Sequence, residues 1–293
     1  MTTIDWLESL ILGAIQGLTE FLPISSDGHL ALGQALFETI RGERRSGSDK
    51  LLLDIILHLG TLVAVLIYYR DWFRPLLRRQ SETSQPQITT GPIPPELVPQ
   101  SRHEFFHLFF LAIVATIPTG IFGLAMKKLF EAAHDSLTAA ALGFWVTALI
   151  LWVSQKFTGG TKSRLTMTWK DAFLIGLAQA FAPLPGVSRS GLTVTAALAC
   201  GLSRQWAAFF SLWMSIPAIS GALIMEIKDL IQAPSFDGRL IVMGLIGSVV
   251  SGLVGYGAII WLVRIVKSRR LDLFTWYLVA LGAVVLVWSL KTG

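Results

Sequence analysis

Cysteine is nearly absent from this 293-residue chain: Cys200 stands alone, so neither a disulfide framework nor a cysteine-based metal site can form within one chain. In its apolar stretch it reads as a small buried residue. Charge is scarce too. Charged residues make up 15% of the chain, against roughly 25% in an ordinary soluble domain, while 53% of residues are hydrophobic and the mean hydropathy is +0.61. That balance makes the bilayer the solvent. Neither a GxxxxGK[ST] run nor a zinc spacing occurs, so nucleotide and structural zinc are not indicated. The first residues lack a basic n-region and an A-x-A-like cleavage site, so the first apolar segment is expected to stay. The net charge of +5 does not point to nucleic acid, because most Lys and Arg lie in short loops beside apolar runs, where they set membrane orientation.

What is present is apolar length. Crossing about 30 Å of hydrocarbon takes about 20 helical residues, and stretches of that kind recur at 51–69, 105–125, 136–155, 205–226, 239–263 and 273–290. Two further apolar regions, 5–38 and 169–200, are broken by Pro23 to Gly28 and by Pro183 to Gly191. Proline removes a backbone donor and clashes with the preceding turn, and bare backbone is very costly in lipid, so such breaks occur only where protein or a water-filled cavity covers them. Both regions read as re-entrant helical hairpins. The expected fold is therefore all-α: a polytopic integral membrane protein with six full spans and two re-entrant hairpins, forming a single membrane domain over 1–293. The Pro-rich segment 80–101 is the only long polar connector and reads as a flexible surface loop.

Re-entrant hairpins fix which loops share a side. One side then carries fourteen Lys and Arg, in 70–104, 156–170, 201–204 and 264–272; the other carries nine, and Arg189 stays inside the second hairpin. The richer side is expected to be cytoplasmic, with both termini outside. The first hairpin then enters from outside and the second from inside, each followed by three spans. This is an inverted-topology repeat, with halves 1–156 and 169–293. A shift of 163 aligns Trp6 with Trp169, Gly13 with Gly176, Gln16 with Gln179, Ser25 with Ser188 and Gly28 with Gly191. Inverted repeats with broken helices place a binding site near the midplane, where the breaks meet.

In the second break, Arg189 is surrounded by Ser188, Ser190 and Thr193. A guanidinium binds phosphate oxygens as a planar fork, hydroxyls add donors, and a helix restarting near Ser190 would turn its free N–H groups to the same anion. The structural alternative is an arginine that pairs with a carboxylate. In the first break Gln16 and Glu20 share a helix face, and Ser25 and Ser26 precede His29 by four and three residues. Carboxylate, hydroxyl and imidazole can supply a base or metal ligand, a nucleophile and a proton donor. Against this, Ser25 or Asp27 caps the second helix and His29 is a satisfied buried residue. His58, in the middle of a span, lines the cavity or makes a structural hydrogen bond. Glu226, Lys228 and Asp229 at a span end are expected to face water, and His103 and His107 to lie at the interface.

Two segments, Gln16–Leu30 and Leu184–Thr193, closely resemble the undecaprenyl-diphosphatase family, also called bacitracin-resistance protein, BacA/UppP. The family's (E/Q)xxxE segment followed by FLPxSSxGHL is similar to Gln16 through Leu30, and its PGxSRSxxT segment to Pro185 through Thr193. The likeness continues through Leu57–Val65 and Gly201–Gln205, and so over essentially the whole chain. It implies hydrolysis of the terminal phosphate of undecaprenyl diphosphate, recycling of the lipid carrier for peptidoglycan synthesis, and bacitracin resistance. It also implies a divalent metal, magnesium or calcium, and a multi-pass protein of the bacterial cytoplasmic (inner) membrane whose site opens towards the periplasm. By resemblance Glu20 is the metal or base residue, Ser26 the nucleophile or phosphate contact, His29 the acid/base or rival nucleophile, and Arg189 the phosphate clamp; Ser25, Ser188, Ser190 and Thr193 complete the anion site. Whether Ser26, His29 or water attacks stays open.

Two departures from the pattern bear on the metal. Gln16 stands at the first acidic position and has no charge to offer, whereas Asp27 follows Ser26 where Thr or Ser is frequent. Asp27 is expected to replace the carboxylate missing at position 16. The expected partners are the lipid substrate and the bilayer, without nucleic acid. The Gly-rich runs 244–248 and 252–255 permit close helix packing, compatible with a homodimer. The rival function is a transporter or flippase of a phosphorylated polyprenyl lipid.

Overall fold

The computed structural model describes residues 3–77, 91–134, 136–232 and 237–292. The chain runs through α1 (Thr3–Phe21), α2 (Ser26–Arg41), α3 (Gly47–Tyr68), α4 (Arg74–Leu77), α5 (Arg102–Ala125), α6 (Lys127–His134), α7 (Leu137–Ser154), α8 (Trp169–Gln179), α9 (Arg189–Ala199), α10 (Arg204–Gln232), α11 (Arg239–Lys267) and α12 (Asp272–Thr292). Six of these, α3, α5, α7, α10, α11 and α12, are long and apolar enough to cross a membrane, and they coincide with the six expected stretches. Among the described residues no strand forms beyond a single bridge, Lys162 with Leu202. The protein is thus an all-α, multi-pass membrane protein.

The long helices start where a short polar side chain can take a free N–H group: Ser46 accepts from Asp49 N, Ser101 from Glu104 N and Ser136 from Ala139 N. Their apolar residues divide between two destinations. An inner set, with Tyr69, Trp72, Trp206 and Trp213 at its centre, is buried, and the Tyr69 hydroxyl donates to the carbonyl of Phe209 at 2.5 Å. An outer set, including Leu253, Trp276 and Leu290, remains exposed on helix faces that in a membrane would meet lipid.

Helix partnerships follow a definite scheme. α11 takes α1 and α3 on its flanks, α5 takes α8 and α10, α7 pairs with α12, and α3 meets α10. The α1–α11 crossing is close because Gly13 and Gly17 lie against backbone; a Cβ on them would stand 2.3 Å from the Gly247 oxygen and 2.4 Å from the Ser251 oxygen. The glycine runs of α11 are consumed in this way. Gly247 faces Ser9 and Leu57, Gly244 faces Ile56, and Gly252 faces the backbone of Gly60, so their close packing is within one chain.

The connector at 80–101 lies outside the described residues as far as 90. From Gly91 onward it is not a free surface loop, since Ile93, Leu97 and Val98 are buried and the amide of Gly91 donates to Asp71 Oδ2 at 2.9 Å. Pro95 opens a short 3-10 turn, Pro95–Leu97, flanked by extended residues at Pro94 and Val98, and the apolar side chains of this segment reach the core.

Candidate active site

Both expected breaks are present, between α1 and α2 and between α8 and α9, and in each pair the two helices pack against each other. At the first, Ser25 carries φ +71°, a left-handed conformation unusual for a residue with a Cβ. Its hydroxyl caps α2 by accepting from Gly28 N at 3.4 Å. At the second, the reversal falls on Gly186 at φ +81°, where a Cβ would meet the Ala140 oxygen at 2.1 Å, so glycine is required. Ser188 caps α9 by accepting from Gly191 N at 3.1 Å.

Buried backbone left without helical partners needs others, and the two breaks find them in different places. Thr147 of α7 ties the second, donating to the Gly186 carbonyl and accepting from Ser188 N, both at 2.9 Å. The first is tied by the second. Ser190 Oγ donates to the Leu22 carbonyl at 2.9 Å, and Arg189 Nη2 donates to the Glu20 carbonyl at 3.3 Å. The carbonyls of Glu20, in the last turn of α1, and of Leu22, just beyond it, thereby each take a bond from the first residues of α9, Leu22 accepting from Ile24 N at 2.8 Å as well.

Those contacts bring the polar side chains together. Arg189 Nη2 is 2.9 Å from Glu20 Oε1, and Ser26 Oγ donates to Glu20 Oε2 at 2.7 Å. Gln16 Nε2 approaches the same Oε2 at 3.2 Å, and His58 Nε2 lies 3.6 Å from it. The imidazole of His58 is oriented from behind by Nδ1 donating to the Asp54 carbonyl at 2.8 Å. Glu20 is 7% exposed, and its charge is matched at once by Arg189 and flanked by His58. Arg189 Nη1 is buried and unpartnered, as is Gln16 Oε1. A buried guanidinium N–H without a partner, at the start of a helix, is a ready anion contact.

Other expected residues are placed elsewhere. Thr193 is turned into the core, donating to the Arg189 carbonyl at 2.9 Å and paired with Ser211 Oγ at 2.6 Å. Ser188 and Ser190 face each other at 3.2 Å. His29 has both ring nitrogens engaged, with Ser25 O and Tyr277 Oη. Asp27 is half-buried at the start of α2, within electrostatic reach of His58, and so is Glu226 from α10, which the sequence assigned to water. Asp229 instead pairs with Lys127 at 2.9 Å. His103 and His107 are exposed, and Cys200 is a free, half-buried thiol. Thr147 and Tyr277 were not anticipated, because nothing in the sequence separates them from the other hydroxyls of their apolar spans, Thr138 and Ser154 in α7 and Thr275 and Ser289 in α12.

For a divalent metal the donor set is thin. Both oxygens of Glu20 already accept hydrogen bonds, and among the described residues no group of three or more His, Cys, Asp or Glu side chains could hold an ion. A resident cage does not fit. What does fit is an ion arriving with an anionic ligand, because magnesium commonly takes one or two protein oxygens and fills its shell from phosphate and water.

Fold and site together define a class: an all-α membrane protein that assembles a carboxylate, a hydroxyl and a guanidinium where two broken hairpins meet. Within that class the chain matches the family described as Bacitracin resistance protein BacA over residues 9–284, and it belongs to that family. It is similar to Undecaprenyl-diphosphatase 4 of Bacillus thuringiensis subsp. konkukian, 38% identical over 284 residues covering 96% of each chain. It is also similar to the Undecaprenyl-diphosphatase of Carboxydothermus hydrogenoformans, 37% identical over 281 residues and 96% of each chain. That of Methanobrevibacter smithii is 35% identical over 295 residues and 98% of each.

Proposed function

We propose that this protein is an undecaprenyl-diphosphate phosphatase that releases the terminal phosphate of undecaprenyl diphosphate and returns undecaprenyl phosphate to peptidoglycan synthesis, with bacitracin resistance as a consequence. One observation carries the reading in a chain of this family: Ser26 donates to one oxygen of Glu20 while Arg189 holds the other and keeps a buried N–H free. Glu20 accepts the Ser26 proton, and Oγ forms a bond to the terminal phosphorus. The bond from that phosphorus to the bridging oxygen breaks, undecaprenyl phosphate leaves, and water cleaves the phosphoserine to give inorganic phosphate. Arg189 Nη1 and the first amides of α9 neutralise the charge developing on the equatorial oxygens, the dominant need in phosphoryl transfer. Ser25, Ser188, Ser190 and Thr193 shape the helix starts and cross-ties that hold Ser26 and Arg189 in register.

Magnesium or calcium would come with the diphosphate, held by Glu20 and Gln16 Oε1, with Asp27 as the next carboxylate. When bound, it neutralises phosphate charge.

The helix scheme supports the inverted repeat. Exchanging the halves, α1 with α8, α3 with α10, α5 with α11 and α7 with α12, maps the main packings onto one another: α1–α11 onto α8–α5 and α3–α11 onto α10–α5, with α3–α10 and α7–α12 mapping onto themselves; the packings of α9 on α7 and α10 have no counterpart. α8 and α9, 11 residues each, are about 16 Å long at 1.5 Å per residue and so fall short of a crossing, which supports re-entrance. The charge asymmetry of the loops favours a site open to the periplasm, in the cytoplasmic (inner) membrane of a bacterium. The lipid-facing α11 and α12 leave room for a homodimer.

The same architecture suits a transporter or flippase of a phosphorylated polyprenyl lipid. Phosphate release from undecaprenyl diphosphate in detergent decides: the phosphatase gives one phosphate per lipid consumed, and a transporter gives none.

A further inference from the structure

His29 is held at both ring nitrogens. Nδ1 lies 2.7 Å from the carbonyl oxygen of Ser25, and Nε2 lies 2.7 Å from the hydroxyl of Tyr277, 248 residues away on α12. A carbonyl oxygen can only accept, so Nδ1 carries the proton, and in the neutral ring Nε2 accepts from the tyrosine O–H. The two rings lie nearly parallel, 14° apart with centroids at 5.8 Å, and Phe144 closes the other side edge-on at 5.1 Å. The Ser25 carbonyl thus asks for the Nδ1–H tautomer, and Tyr277 and Phe144, both outside the Gln16–Leu30 segment, hold the ring in place and match that tautomer at Nε2.

The group that His29 holds is the strained one. Ser25 has φ +71°, a conformation that is costly in a residue with a Cβ and persists only where surroundings over-determine it. Its carbonyl receives a long bond, 3.4 Å, from His29 N, and a short one from the His29 ring. The next residue is Ser26, whose hydroxyl must stay aimed at Glu20. Loss of the ring contact would leave the turn free to relax, and Ser26 with it.

We propose that Tyr277 is a positioning residue for phosphoryl transfer: its hydroxyl fixes the His29 tautomer that anchors the Ser25 carbonyl and so presents Ser26 to Glu20. This rests on the phosphatase reading and is separate from the acid/base part that the family resemblance implies for His29. Without the hydroxyl the ring can place its proton on Nε2, and the Nδ1 lone pair then faces the Ser25 carbonyl oxygen and repels it. The effect passes through geometry alone, because Tyr277 touches neither Ser26 nor Glu20 in the contacts described.

The test is Tyr277→Phe, which keeps the ring and removes only the donor, with Tyr277→Leu as the variant that removes both. Two readouts are taken on the full-length protein in detergent. Phosphate release should show kcat reduced roughly three- to tenfold with KM unchanged, the size of one neutral hydrogen bond felt at the transition state. Imidazole 15N spectra, with His29 assigned by its loss in His29→Gln, should show the Nδ1–H form in the wild type and a shift towards Nε2–H in both variants. A kcat within twofold of wild type, or an unchanged His29 tautomer, overturns the proposal. If the wild type itself releases no phosphate, the phosphatase reading fails instead, and the 15N spectra still report on the Tyr277–His29 bond.

Discussion

The two hairpins solve one structural problem in the same way and then part in chemistry. In each, a serine closes the restarting helix from three residues ahead, Ser25 on Gly28 and Ser188 on Gly191. At the shift of 163 that pairs those caps, Ser26 falls opposite Arg189, Glu20 opposite Pro183 and His29 opposite Leu192. The first copy holds the acid, the hydroxyl and the imidazole; the second holds the cation. Neither gathers these groups alone, because Glu20 has its charge partner in the other hairpin and the Leu22 carbonyl takes a second donor from there, beside Ile24 N of its own hairpin. The first break also stores strain at Ser25, whereas the second places its left-handed turn on glycine. A group of side chains drawn from both hairpins is thus held together by the contacts that satisfy the backbone at the two breaks.

Replacing the shared centre should have the largest effect. Glu20→Gln keeps the volume but removes the charge that faces Arg189 and the acceptor for Ser26, and phosphate release is expected to fall by about 10³-fold or more. Near-normal turnover in that variant would mean that the hairpins do not meet through Glu20. Gly186→Ala attacks the second break alone, and with a Cβ 2.1 Å from the Ala140 oxygen it should lose about 3 kcal/mol or more of stability, read as lost monodisperse protein on gel filtration.

How much of this was legible in the sequence depends on distance along the chain. Spans, breaks and the choice of Ser25 or Asp27 as the first cap could be read, since apolar run length, Pro23, Pro183, Pro185 and the small polar residues that follow act within a few positions; the cap at Ser188 was passed over for an anion contact. The partners of the hydroxyls could not. Ser190, Thr193 and Ser188 sit together around Arg189 in sequence, yet one side chain turns to Leu22, one to Ser211 and one to its own helix, a choice made by which helix lies opposite. The same holds for His58, whose place beside Glu20 depends on α3 passing the end of α1, and for the α11 glycines, which serve packing within the chain. Glu226 was assigned to water by its position at a span end, but the long α10 carries it back towards His58.

Smaller effects sharpen the contrast. On the proposal that Asp27 replaces the carboxylate lacking at Gln16, Asp27→Asn should raise the magnesium or calcium concentration needed for half-maximal turnover by roughly tenfold, about one charge contact's worth. An unchanged metal titration would assign the ion to Glu20 without Asp27. The mildest test compares the two caps. Ser25→Gly loses a hydroxyl but relieves the left-handed turn, whereas Ser188→Gly only loses, so in thermal unfolding Ser25→Gly should be the less destabilising by about 1 kcal/mol. Equal losses would remove the claim that the first break is strained.

The division of labour is tested most directly by phosphate release from radiolabelled undecaprenyl diphosphate with Ser26→Ala, Arg189→Ala and the double variant. If the hairpins act as one unit, each single variant loses about 10³-fold or more in kcat, and the double loses little beyond either. Turnover near the wild-type rate in either single variant, or losses that multiply in the double, would contradict a site shared between the two breaks.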